Sequence, residues 1–409
     1  MGAKSAADQV ARVSYGRLLA LLARHGIPLS RAEEVLSEAF CAALEAWPRE
    51  GVPDRPEAWL FTVAKRRYIN QHRRERVRST AEETIRQLLE EQGDNTPETF
   101  GDDRLKLLFV CAHPSIDPAM HAPLMLQTVL GFDAAMIGAA FMVSPEAMAQ
   151  RLVRAKAKIR DAGIPFAVPD SSELGPRAQT VLDAIYAAYG NAWEDVAAVD
   201  PRIQTTSEEA IWLARLVVEL LPEEAEAKGL LALLLHCEAR RGARRSRDGT
   251  FIPLARQDTR LWSQPKIEEA ELFLHAASKL KRIGRYQLEA AIQSAHASRA
   301  RTGQTNWAAI KLLYEGLLQL SPTVGATLGQ VAAVAESDGA LAGYQLLERL
   351  PREKVSRYQP YWVVRANILV RLGRNKEACL AFEQAVALTK DSSVRDFLLN
   401  LRSQYAQGV

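Results

Sequence analysis

The chain has 409 residues, enough for two or three domains, and with 48% apolar and 25% charged residues its composition is that of an ordinary globular protein. It has no signal peptide, no apolar run near transmembrane length and no CxxC pair among its four cysteines, so we expect a cytoplasmic protein rather than a membrane or disulfide-rich one. The formal net charge of +3 indicates no particular partner.

Alanine and leucine dominate the chain, and no long alternating pattern typical of β-strands occurs, so we expect an all-α fold. Three helices are predicted before residue 79. The second should begin at Ser30, which has the spacing of a capping box with Glu33, and should end at Trp47 and Pro48. The third should begin near Pro56.

The C-terminal half of the third predicted helix is strongly basic. Residues 65–78 contain seven lysines and arginines, opposed only by Glu75. Such a run suits a nucleic-acid backbone, because each cation near a phosphate releases condensed counterions. The alternative is a solvated helix end whose cations stabilise the negative pole of the helix dipole. Seven cations exceed what capping needs, so we favour DNA contact.

Residues 133–160 predict a short helix, a tight turn and a longer helix. Asp133 and Ser144 are suited to cap the two helices, and Pro145 suits the first position of the second. The longer helix has an apolar stripe expected to be buried: Met148, Leu152, Ala155 and Ile159. This pattern is typical of a helix-turn-helix whose second helix enters a major groove. An ordinary helical hairpin with a solvated basic face is the alternative.

Several stretches resemble bacterial extracytoplasmic-function (ECF) sigma factors. Residues 47–54 (WPREGVPD) and 58–67 (AWLFTVAKRR) are similar to their promoter-melting domain, region 2. Residues 103–114 (DRLKLLFVCAHP) and 148–156 (MAQRLVRAK) are similar to their region 4. The chain as a whole resembles the subgroup that carries a C-terminal helical extension with tetratricopeptide (TPR)-like character.

This resemblance implies roles for individual residues. The segment 33–40 matches the helix that binds the clamp helices of the polymerase β′ subunit, which implies contacts from Glu33, Glu34, Glu38 and Phe40. The segment 59–74 matches the part that captures the melted promoter strand, which implies contacts from Trp59, Lys65, Arg66, Arg67, Asn70, Arg73 and Arg74. Many ECF members have Asp where this chain has Asn70. The recognition helix that contacts the upstream duplex is matched by Gln150, Arg151, Arg154 and Lys158.

The predicted organisation has four parts. Residues 1–78 form region 2, residues 79–101 an acidic linker, residues 102–168 region 4, and residues 169–409 a TPR-like helical domain of antiparallel helix pairs. The clearest repeat is 361–389, where small residues are spaced as at helix crossings. Such stacked pairs build a concave surface for a protein or peptide ligand, and the alternative is a closed helical domain without one. Within it, residues 242–253 form a basic loop, expected to be solvated rather than bound to nucleic acid.

The sequence contains none of the common catalytic motifs, so we expect no enzyme and no cofactor. A metal cluster of Cys111, His113, Asp117 and His121 is disfavoured, because no second Cys/His pair exists to complete it. Three hypotheses remain: a sigma factor, a free-standing helix-turn-helix regulator with a TPR-like sensory domain, and a TPR scaffold. We favour the sigma factor, with RNA polymerase core and promoter DNA as its partners and no membrane, because a simple regulator needs no second DNA-binding unit.

Overall fold

A computed structural model describes residues 3–76, 103–141, 143–194, 201–389 and 391–406. Within these ranges the chain forms helices joined by turns and loops, and its only β-pairing is one bridge between Arg245 and Phe251. The all-α prediction is therefore confirmed. None of the helices in these ranges combines the length and apolar character that crossing a bilayer requires. The chain divides into two compact units, unit 1 (residues 1–191) and unit 2 (residues 192–409).

Unit 1 contains both segments predicted to bind DNA. Its described helices are α1 (Ala3–Arg24), α2 (Leu29–Glu50), α3 (Pro56–Arg76), α4 (Arg104–Cys111), α5 (Pro118–Leu130), α6 (Ala134–Ala140), α7 (Pro145–Asp161) and α8 (Ser171–Glu194), inside which the division falls. The predicted boundaries at residues 78, 101 and 168 remain predictions, because one compact unit can hold more than one domain. The predicted acidic linker lies outside the described residues.

The core of unit 1 forms where α1 and α5 meet. α1 packs against α2, α3, α4 and α5, and its leucines Leu18, Leu19 and Leu22 are buried. Gly16 lies so close to α5 that a Cβ atom there would collide with the carbonyl oxygen of Val129. Only glycine therefore allows this approach without a shift of one helix.

Both ends of α2 differ from the prediction. The helix begins at Leu29, with Pro28 before it and no side-chain cap, so the expected cap by Ser30 is wrong. It continues through Pro48 to Glu50 and ends where Gly51 adopts a φ of 87°. A proline removes one backbone donor, and in the last turn this loss costs a single helical hydrogen bond. The helix therefore tolerates Pro48, and Gly51 stops it.

Unit 2 consists of consecutive helices that pack mainly on their neighbours in sequence. Its described helices are α9 (Pro201–Leu220), α10 (Ala225–Ala239), α11 (Gln264–Lys279), α12 (Arg285–Ala297), α13 (Arg299–Thr302), α14 (Trp307–Leu320), α15 (Val324–Ser337), α16 (Ala340–Leu347), α17 (Arg352–Val355), α18 (Gln359–Arg371), α19 (Asn375–Leu388) and α20 (Ser392–Ala406). The predicted pair in residues 361–389 corresponds to α18 and α19. Its small residues Ala366, Ala378 and Ala385 are buried at the crossing, around Phe382.

The segment between α10 and α11, residues 244–262, is here called the strap. The basic loop that begins it, predicted over residues 242–253, was expected to be solvated, but Arg245 is only 20% exposed and pairs with Asp391 at 2.5 Å. Phe251 makes an edge contact with Phe397 of α20, 5.6 Å between ring centroids. The strap therefore connects the early part of unit 2 to α20. Arg245 pairs with Asp391, just before α20, and Phe251 contacts Phe397 within it. This contact favours a closed helical domain over an open array.

Two buried histidines beside the strap should make the stability of unit 2 depend on pH. Burial, followed by the charge of Arg240, lowers the pKa of His236 and of His296 to about 4. In the unfolded chain the pKa of histidine is about 6.5. As the pH falls, these histidines are therefore protonated in the unfolded chain first, which lowers the free energy of unfolding. The loss between pH 7 and pH 4 should be roughly 3 kcal/mol for each histidine.

Nuclear magnetic resonance titration of the imidazole protons measures this directly. We expect His236 and His296 to stay neutral until the pH approaches 4, and the unfolding free energy to decrease in parallel. Midpoints near 6.5 for both rings would contradict the burial described above.

Candidate nucleic-acid interface

The two helices predicted within residues 133–160 are present as α6 and α7. The side chain of Asp133 accepts a hydrogen bond from the Met136 N–H at 2.7 Å, and Ser144 accepts one from the Ala147 N–H at 3.3 Å. The predicted apolar stripe of α7 is buried: Met148, Leu152, Ala155 and Ile159. The four predicted duplex contacts are exposed on the rest of the helix: Gln150, Arg151, Arg154 and Lys158. Their side chains therefore remain accessible to a ligand.

The helix α3 presents the second set of predicted DNA contacts. Trp59 is half-buried and meets the ring of Trp47 edge-on, 5.6 Å between centroids. The ammonium of Lys65 lies 6.0 Å from the centre of the Phe61 ring. Arg66 and Asn70 are exposed. The side chains of two further predicted contacts lie outside the described part of the chain: Arg73 and Arg74.

The predicted polymerase contacts on α2 have different environments. Glu34 is exposed and pairs with Arg31 at 2.8 Å, and Phe40 is partly buried. Glu38 accepts hydrogen bonds from Arg67 at 2.9 Å and from Gln71 at 3.1 Å. A residue predicted to bind polymerase is thus paired with one predicted to bind DNA.

Glu33 is the least exposed of these acidic residues, because α7 covers it. Its carboxylate pairs with the ammonium of Lys156, and the two side chains are 14% and 11% exposed. Its other oxygen, Oε1, is buried and has no hydrogen-bond partner in the part of the chain that the structure describes. Burial raises the pKa of Glu33, against the opposing effect of Lys156. The loss of hydration therefore outweighs the attraction within the pair.

Lys156 is the site residue that sequence reasoning missed. It follows Leu152 by four residues and precedes Ile159 by three, so it lies at the margin of the buried stripe rather than on the exposed basic face. This spacing was the one feature of the sequence that indicated partial burial of Lys156. The acidic partner of Lys156 is 123 residues away in sequence, and no local pattern indicates it.

The residues considered for a metal have other partners. Cys111 Sγ lies 3.1 Å from Thr128 Oγ1, and burial raises the pKa of this thiol to about 12. His121 Nε2 lies 3.1 Å from the carbonyl oxygen of Ile116. Among the described residues, no three histidine, cysteine or acidic side chains are placed to hold an ion.

Comparison with known proteins assigns this architecture to a family. Residues 12–78, which span most of α1 to α3, match the Sigma-70 region 2 family, and residues 177–278 match a family of unknown function, DUF6596. An uncharacterized protein of Rhizobium meliloti (strain 1021) is 38% identical over 379 residues, covering 91% of this chain and 89% of that protein. The chain belongs to the same family as that protein. Its Sigma-70 region 2 segment supports a sigma-factor-like role in transcription initiation, with RNA polymerase core and promoter DNA as partners.

The buried pair predicts a strong coupling between Glu33 and Lys156. The substitution Lys156→Met leaves a buried carboxylate without its cation and should lower the unfolding free energy at pH 7 by about 3 kcal/mol. Adding Glu33→Gln removes that charge and should restore stability to within about 1 kcal/mol of the original. Hydrogen exchange at the amides of α2 and α7 measures these changes.

A matched control lies on the same helix. Arg160 pairs with Asp161, and the two side chains are 63% and 62% exposed, so Arg160→Met should change stability by less than about 0.5 kcal/mol. Equal effects of the Lys156 and Arg160 substitutions, or additive effects of the Glu33 and Lys156 substitutions, would show that the pair is not coupled.

Proposed function

We propose that this protein is an ECF-type sigma factor. In this proposal α2 binds the β′ clamp helices of RNA polymerase core, α3 holds the unpaired promoter strand and α7 binds the upstream promoter element as duplex. The Sigma-70 region 2 match over residues 12–78 carries the proposal. The proposal gives the protein no catalytic role, because each of these tasks is binding.

The exposed face of α7 supports the duplex-binding part. Gln150, Arg151 and Arg154 project from the middle of the helix, and all three are exposed. In a major groove, glutamine suits the adenine edge and arginine the guanine edge. Buried apolar residues on the opposite side of α7 hold this face outward, as a recognition helix requires.

The exposed face of α3 supports the single-strand part. Arg66 and Asn70 are one helical turn apart and accessible, and the aromatic ring of Phe61 lies beside Lys65. Cations together with aromatic rings are the usual means of holding an unpaired strand. A free-standing regulator explains α7 equally well, but it leaves the Sigma-70 region 2 match without a purpose.

We assign unit 2 a regulatory or partner-binding role. Its helices pack in consecutive pairs, and the strap joins the early part of the unit to α20. Stacked helix pairs bind proteins or peptides on a concave surface. Because the strap closes unit 2 on α20, we favour the regulatory role over partner binding.

Run-off transcription tests the proposed function. Purified chain and bacterial core polymerase should give discrete transcripts from genomic fragments. Replacing Arg151 and Arg154 together by alanine should weaken promoter binding by about a hundredfold, since each base contact contributes about 1–3 kcal/mol. Binding to core alone should be unchanged, because both residues lie on the exposed face of α7 and neither is a predicted polymerase contact.

The control is Arg160→Ala, an exposed arginine on the last turn of α7. It should retain the transcripts. Duplex binding of equal strength with and without core polymerase would instead support the free-standing regulator, and the absence of any transcript would contradict the sigma factor.

A further inference from the structure

The buried ion pair between α2 and α7 connects the two proposed binding surfaces. We propose that the Glu33–Lys156 pair is an autoinhibitory latch, in which α7 keeps Glu33, on the polymerase-binding face of α2, covered until core polymerase displaces Lys156. This inference rests on the proposed function, because it concerns the regulation of the same face of α2.

Glu33 cannot contact Lys156 and a clamp helix of polymerase at the same time. Glu33 is 14% exposed with α7 in place, so a clamp helix cannot reach its carboxylate while Lys156 occupies it. The same closed arrangement is supported elsewhere in unit 1. Arg24 of α1 lies 3.5 Å from Asp103 at the start of α4, and the Tyr15 ring covers Gly131 at the end of α5.

The energetics suit a latch that opens on binding. Removing Glu33 from water costs more than Lys156 returns, so the pair contributes little net stability to the closed state. A partner surface that binds the carboxylate in a more hydrated setting competes on favourable terms. The apparent affinity for polymerase is then reduced by the fraction of chains that are closed.

The first test measures binding of the full-length chain to bacterial core polymerase by fluorescence anisotropy. Lys156→Met should bind core about tenfold more tightly than the unaltered chain, because it removes the competitor for Glu33. Arg160→Met, the matched control, should bind like the unaltered chain. Equal or weaker binding by Lys156→Met would overturn the latch.

The second test is independent of how well that variant folds. Glu33→Cys and Lys156→Cys are combined in a Cys41→Ser background, which removes an exposed thiol. A short bifunctional methanethiosulfonate reagent then joins the two cysteines, and reductant releases them. Because Glu33 is itself a proposed polymerase contact, both forms should bind core more weakly than the unaltered chain, but the released form should bind at least tenfold more tightly than the joined form. Equal binding by both forms would overturn the latch, whereas failure of every form, the unaltered chain included, would overturn the proposed function itself.

Discussion

The close contact between α1 and α5 is the constraint on which unit 1 depends. Gly16 brings the backbone of α1 against the Val129 carbonyl, and leucines of both helices are buried. α2 and α3 pack on α1, while α5 packs on α6 and α7. This contact, together with those of α1 with α4 and of α2 with α7, holds the Sigma-70 region 2 helices and the proposed recognition helix in a single compact unit.

Several charged residues of unit 1 form ion pairs within the chain in the absence of polymerase and DNA. Glu38 is paired with Arg67, and Glu33 with Lys156. Binding of polymerase or DNA at these positions is therefore an exchange of partners rather than the capture of free charges. The affinity depends on the difference between two sets of contacts, which makes it sensitive to substitutions that touch neither partner. The exposed residues Arg151 and Lys158 are free of this competition with α2.

Local sequence patterns predicted helices, caps and buried stripes, but they did not predict ion pairs between residues that are distant in sequence. The caps at Asp133 and Ser144 and the buried stripe of α7 depend on residues a few positions apart, so the sequence indicated them correctly. The pairing of Lys156 with Glu33, and of Arg245 with Asp391, joins residues more than a hundred positions apart. Such pairs depend on how helices stack, which hydrophobic periodicity does not encode. The wrong end of α2 has another cause, since a proline in a last helical turn is tolerated.

Photo-crosslinking from α2 to core polymerase tests the central claim most directly. A benzoylphenylalanine at Ser37, an exposed position one residue from Glu38, should crosslink to the β′ subunit when the full-length chain binds core. The same group at Glu268, exposed on α11 of unit 2, serves as the reference position. Crosslinks from position 37 that map to another subunit, or that do not exceed those from position 268, would contradict the account.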